Sequence, residues 1–186
     1  MTFRSHIALG IVGGLALAQT PLIVQSPAYY IQYLPLIALG SILPDIDEPK
    51  SFIGRKLPGI SHMINFGLGH RGFTHFLLCP LLLAIIGGIL LDASRFFVYA
   101  VCFGMLMHQL GDMLTKSGIP KYFYPFKASG VLLPKFLRFY TGSIAEWLLL
   151  VLILLPTMLL LFYLSYSQSW GLTPSSFSQF YKGIGL

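Results

Sequence analysis

Five apolar blocks dominate the chain, over residues 7–24, 29–43, 73–91, 96–113 and 144–166. Crossing a hydrocarbon core of about 30 Å takes about 20 apolar residues in a helix, since every backbone N–H and C=O must be satisfied within the segment. The third and fifth blocks meet that requirement outright. The first and second are short or interrupted by glycines and by Pro21 or Pro35, so they are expected as tilted or kinked spans. Charged residues make up only 10% of the 186 positions, against about 25% in soluble domains. So few charges cannot cover a water-facing surface. The fold class expected is all-α, a polytopic membrane helix bundle of about five transmembrane helices.

One transmembrane domain over residues 1–166 and a polar-aromatic tail over 167–186 account for the whole length. In the tail, Trp170, Phe177, Phe180 and Tyr181 suit the membrane–water interface. The first block has a rival reading, because Arg4, a short apolar run and Ala16-Leu17-Ala18 also resemble a signal peptide. Its removal would take His6 away and leave the direction of the other four spans unchanged. Cys79 and Cys102 both fall inside apolar blocks and read as inert packing residues, with no disulfide framework.

With five spans, one membrane face receives the N-terminus and the loops near residues 44–72 and 114–143. That face carries Arg4, Lys50, Arg55, Lys56, Arg71, Lys116, Lys121, Lys127, Lys135 and Arg138, and the other only Arg95 and Lys182. The bias places the N-terminus in the cytoplasm and the C-terminus outside. The net charge of +6 is thereby explained without nucleic acid, which would call for a polar basic domain that this chain lacks.

The titratable residues follow the same map. All five histidines and every acid except Asp92 fall on the cytoplasmic side. His6 precedes the first span, Asp45 and Asp47 close the second, and His70 and His75 open the third. His108 and Asp112 end the fourth, four residues apart and so on one helix face; Glu146 begins the fifth. Acids near membrane depth normally face an interior and find partners. A divalent metal provides one partner for several of them, and imidazole with carboxylate suits Zn, Mn or Fe better than Ca. The metal ligands expected are His6, Asp45, Asp47, His70, His75, His108, Asp112 and Glu146, enough for two or more ions. Glu146 also suits a general base. Arg71 suits a phosphate clamp, with weaker claims for Lys116 and Lys121. His62 lacks a motif and reads as a plain loop histidine. The aromatic and basic stretch 122–127 reads as an interfacial segment on the inner leaflet. Ser143 lacks the Gly-x-Ser-x-Gly elbow and its α/β sheet, which argues against a serine nucleophile.

At these residues the chain resembles the YdjM family, regarded as membrane-bound metal-dependent hydrolases. The matching pieces are His6, Leu43-Pro44-Asp45-Ile46-Asp47, Gly69-His70-Arg71-Gly72-Phe73-Thr74-His75, His108 with Asp112, Thr115 and Gly118, and Gly142-Ser143 with Glu146. They run through residues 6–146 and are specific in combination. The family's distant similarity to zinc-dependent phospholipase C and P1 nuclease implies a metal-dependent hydrolase cutting a phosphoester. A phospholipid or lipid-linked phosphate is the expected substrate, and membrane lipids are the expected partners. The chain departs from that group in having Gly142 where a histidine would stand four residues before the glutamate, which favours two ions over three. The competing class is a metal-ion transporter or sensor using the same ligands. Ligands crowded at one face, with little in the outer half of each span, favour chemistry at a surface over a path through the membrane.

A reporter fused to the C-terminus should read as outside the cytoplasm. A cytoplasmic signal from that fusion would overturn the proposed orientation.

Overall fold

The computed structural model describes residues 1–21, 27–69, 71–92 and 94–169. Among these the chain is helical, with two isolated β-bridges, Thr115 with Phe139 and Ile119 with Gly130, and no strand. The helices are α1 (Phe3–Ala18), α2 (Pro27–Gln32), α3 (Leu34–Gly40), α4 (Pro58–Leu68), α5 (Leu78–Leu90), α6 (Arg95–Met113), α7 (Ile144–Leu149) and α8 (Leu155–Ser169). Short 3₁₀ turns at Leu43–Asp47 and Phe73–His75 follow α3 and precede α5. The tail beyond Ser169, with Trp170, Phe177, Phe180 and Tyr181, lies outside the described residues.

Two helices are long and apolar enough to cross a membrane: α6, of 19 residues, and the continuous helix Ile144–Ser167 formed by α7 and α8, of 24 residues. Between α7 and α8 the helix widens into a π turn at Leu150–Leu154. Pro156 has no N–H to donate back to residue 152, so the regular ladder is interrupted next to that turn. Helices α1 and α5 are apolar but shorter, at 16 and 13 residues. The second apolar block does not form one helix. It divides at Tyr33 into α2 and α3, with Pro35 in the first turn of α3, a position where a missing N–H costs nothing. The loop expected between the second and third blocks contains a further helix, α4, begun by Pro58 at its N-terminus and closed by Gly69 at φ 72°.

The core sits around α6, which packs against α1, α3 and α5. Its closest approach is to α3. A Cβ on Gly104 would collide with the Ile37 carbonyl, and one on Gly40 with the Val101 carbonyl. Only hydrogen fits between these backbones. The crossing sets Ser41, the residue after Gly40, against the same face of α6 that carries His108 one turn beyond Gly104. Polar groups tie the periphery together: Tyr29 Oη donates to the Gly14 carbonyl at 3.0 Å, and Gln19 Nε2 donates to Ser165 Oγ at 2.7 Å. The loop after α6 is latched from below, with Tyr122 Oη donating to Gln109 Oε1 at 3.3 Å and Leu77 N donating to the Tyr122 carbonyl at 3.0 Å. Burial pushes the Tyr122 phenol above its ordinary pKa, so it stays a donor.

Gly104→Val should destabilise the protein by about 1–3 kcal/mol through overpacking, read as a lowered thermal midpoint in detergent. Gly59→Ala serves as the control: nothing lies within 4 Å of the added methyl, so the midpoint should hold.

Candidate metal centre

Two histidines face one another at the end of α6. His108 Nδ1 is 2.8 Å from the Ser41 carbonyl oxygen. A carbonyl only accepts, so Nδ1 carries the proton and Nε2 keeps its lone pair. His75 repeats the arrangement, with Nδ1 3.0 Å from Asp47 Oδ2. The two Nε2 atoms then point at each other across 3.2 Å, and both rings are fully buried. Two lone pairs at that range repel unless a cation lies between them.

Two carboxylates complete the gap. Asp45 Oδ1 lies 3.9 Å from His75 Nε2 and 3.7 Å from His108 Nε2, and Asp112 Oδ2 lies 3.9 and 4.0 Å from the same atoms. Ligand atoms around a tetrahedral ion with bonds of about 2.0–2.1 Å sit about 3.3–3.4 Å apart. The spacing here is near that, with slack a cation would draw in. Two overlapping ligand groups result, Asp45 with His75 and His108, and His6 with His108 and Asp112. The residues present therefore fit a buried divalent cation.

His6 supplies an independent sign. Its ring stacks on His108 with centroids 3.7 Å apart, and both ring nitrogens are buried without a hydrogen-bond partner. Its Nε2 comes within 3.3 Å of Asp112 Oδ1, close but not aligned as a hydrogen bond. An orphaned buried imidazole is costly, and an ion held jointly with Asp112 would remove that cost. Asp112 also takes the Met1 amine on Oδ1 at 2.5 Å and faces Arg71 Nη2 through Oδ2 at 3.3 Å.

Asp47 and Glu146, both expected as ligands, stand outside the two groups. Asp47 Oδ2 accepts from Arg71 N at 3.0 Å and Thr74 Oγ1 at 2.6 Å besides His75 Nδ1, so this oxygen orients His75. Glu146 Oε1 accepts from Thr2 N at 2.6 Å and Thr2 Oγ1 at 2.9 Å, and Oε2 accepts from Gly142 N at 2.7 Å. Its lone pairs are directed into the chain just before His6. The Glu146 carboxylate thus fastens the start of α7 to the start of α1. His70 lies outside the described residues. His62 is exposed on α4, and Lys116 is engaged at the surface, donating to the Lys135 carbonyl at 2.7 Å.

Arg71 stands beside the cluster in the left-handed region, at φ 58°. A non-glycine residue there costs about 1–2 kcal/mol, offset by its N–H bond to Asp47 and by Nη1, which donates to the Gly118 carbonyl at 2.8 Å. Next to it opens a cavity of about 360 Å³. Its lining brings Lys50, Arg55 and Arg71 together with Asp45, Glu48 and Asp112. Phe3 and Phe52, stacked at 4.5 Å, form an apolar wall. Sequence reasoning had not singled out Lys50 and Arg55 for the site or the Ser41 carbonyl at all. A carbonyl carries no sequence signal, whereas the two cations did show in the loop's charge.

Among known proteins, the chain is 35% identical over 127 residues to the proteins named inner membrane protein YdjM of Escherichia coli (strain K12) and of Shigella flexneri, covering 64% of this chain. The match spans 64% of the length of those two relatives. It is also 33% identical over 155 residues to a Bacillus subtilis (strain 168) protein named uncharacterized protein YvsG, covering 81% of this chain and 88% of the relative. No solved structure matches. The model of the family described as YdjM inner membrane protein matches residues 1–177, and the chain belongs to that family of the bacterial inner membrane.

Proposed function

We propose that this protein is a membrane-embedded, metal-dependent hydrolase that cleaves a phosphoester of a phospholipid or lipid-linked phosphate at the cytoplasmic face. Five membrane crossings, with the C-terminus outside, belong to the same proposal, as do two ions of zinc, or of manganese or iron. The observation that carries it is the pair of inward-facing Nε2 atoms, ringed by two carboxylates and opening beside a cavity lined by cationic side chains.

A divalent cation bound there supplies Lewis-acid activation of water and polarisation of a phosphoryl oxygen. The chain's own residues do the rest. Asp47 and the Ser41 carbonyl hold the two imidazoles in the tautomer that leaves Nε2 free. Asp112 turns Oδ1 toward His6 and Oδ2 toward His75 and His108, so it would contribute to either ligand group. Arg71, Lys50 and Arg55 balance the charges of Asp45, Glu48 and Asp112 in the cavity lining. With a cation bound to the carboxylates, the three basic side chains would be free to attract an anionic substrate, and Arg71 Nη2 already lies 3.3 Å from Asp112 Oδ2. Glu146 keeps His6 in place by holding Thr2.

His108→Ala and Asp112→Ala should abolish both bound metal, read by elemental analysis of the purified protein, and hydrolysis of an artificial phosphodiester. Full metal content in both variants would refute the site. Asp47→Asn should behave differently, keeping the ligands and lowering metal affinity about 10–100-fold, as outer-shell partners do. Arg71→Ala should raise KM for the phosphoester while metal content holds. Uptake of zinc into proteoliposomes without turnover of any phosphoester would replace hydrolysis by transport.

A further inference from the structure

Helix α4 belongs to neither the core nor the metal centre. Its residues Ser61, Ile64 and Asn65 turn toward the protein, and Asn65 Nδ2 donates to the Asp47 backbone carbonyl at 2.7 Å. The opposite edge is apolar and bare. Ile60, Met63 and Phe66 follow at intervals of three, an edge about 120° wide on a helix, and Met63 and Phe66 are 76% and 96% exposed. Gly59 and Gly67 on the same side have nothing within 4 Å of where a Cβ would stand. At 11 residues the helix is too short to span a bilayer.

The charge around this edge is one-sided. No Asp or Glu occurs between residues 49 and 72, while Lys50, Arg55, Lys56 and Arg71 do. The facing loop repeats the pattern. Residues 113–145 contain no acid, and Lys116, Lys121, Lys127, Lys135 and Arg138 stand among exposed Phe126, Phe136 and Tyr140. The two loops are joined by the Arg71 Nη1 bond to the Gly118 carbonyl. An exposed apolar edge set among basic residues and free of acids is complementary to an anionic lipid surface, where headgroups meet lysine and arginine and acyl chains meet the apolar side chains.

We propose that α4 is an interfacial helix that lies flat on the anionic leaflet nearest the metal centre, with Ile60, Met63 and Phe66 inserted at the headgroup–acyl boundary. The Asn65 bond to Asp47 then joins the lipid-bound helix directly to the residue that orients His75. The metal centre is thereby held at headgroup depth. This inference is independent of whether the centre hydrolyses anything.

The test uses the full chain carrying Phe66→Trp as the sole tryptophan, with Trp147→Phe and Trp170→Phe, reconstituted in phosphatidylethanolamine–phosphatidylglycerol vesicles. Bromine placed high on the acyl chains should quench its emission strongly, and bromine near the chain ends weakly. His62→Trp in the same background, on the adjoining polar side of the helix, should be quenched less. Met63→Trp gives the same reading should Phe66→Trp lower the thermal midpoint. Stronger quenching from the chain ends would make α4 a buried hairpin and overturn the proposal. Absence of quenching would overturn it too, with emission at long wavelength meaning water and at short wavelength meaning a covering protein. Metal content of the same variants reports separately on the centre, so failure of one reading leaves the other standing.

Discussion

Two imidazole lone pairs aimed at one another across 3.2 Å are the constraint on which the rest of this structure depends. The Ser41 carbonyl and the Asp47 carboxylate each take a proton from the far side of a ring, and so each denies its histidine the chance to point that proton inward. Left alone, the arrangement is repulsive and sits in a region where neither ring meets water. Shared with a cation and with Asp45 and Asp112, it becomes attractive. The outer partners therefore matter as much as the four groups that face the gap.

The fold's contribution is to bring an unremarkable backbone carbonyl to the right place. Gly40 and Gly104 let α3 and α6 approach until only hydrogen separates them, and Ser41 arrives at His108 as a result. A side chain at either glycine would push the carbonyl away and release the His108 proton to the other nitrogen. Packing and ligand electronics are thus one problem in this region. Asp47 plays the matching part for His75 from the 3₁₀ turn after α3, and its backbone carbonyl in turn holds α4 through Asn65. The ligand geometry reaches the protein surface in two hydrogen-bonded steps.

Much of this is legible in the sequence. His108 and Asp112 could be placed on one helix face by their four-residue spacing, and both fall in the cluster at the end of α6. Asp45 and His75, both expected as ligands, fall in one group with His108 that could hold an ion. Spacing did not separate ligands from orienting groups, because Asp47 and Glu146 are carboxylates in either role and only their hydrogen-bond partners tell the difference. The kink at Pro35 was expected, yet the full separation of α2 from α3 at Tyr33 was not, since a helix break depends on how neighbours pack. Helix α4 went unread for a related reason. Its apolar residues at 60, 63 and 66 are too few to stand out beside true spans, and their meaning appears only once they are seen to face outward.

The Glu146 carboxylate, which reaches back to Thr2 from 144 residues further along the chain, has a consequence for how the protein is made. Ribosomes deliver His6 well before Glu146. A nascent chain halted after residue 91 would already contain Asp45, Asp47 and His75, yet it would lack His108, which belongs to both ligand groups. Neither candidate ligand group is complete until the fourth apolar block has been synthesised, and Thr2 is not held by Glu146 until the fifth has begun. Assembly of the cluster is in this sense stepwise: Asp45, His75 and His108 can meet with the fourth block, and His6 is held beside Asp112 only when the first and fifth blocks have met.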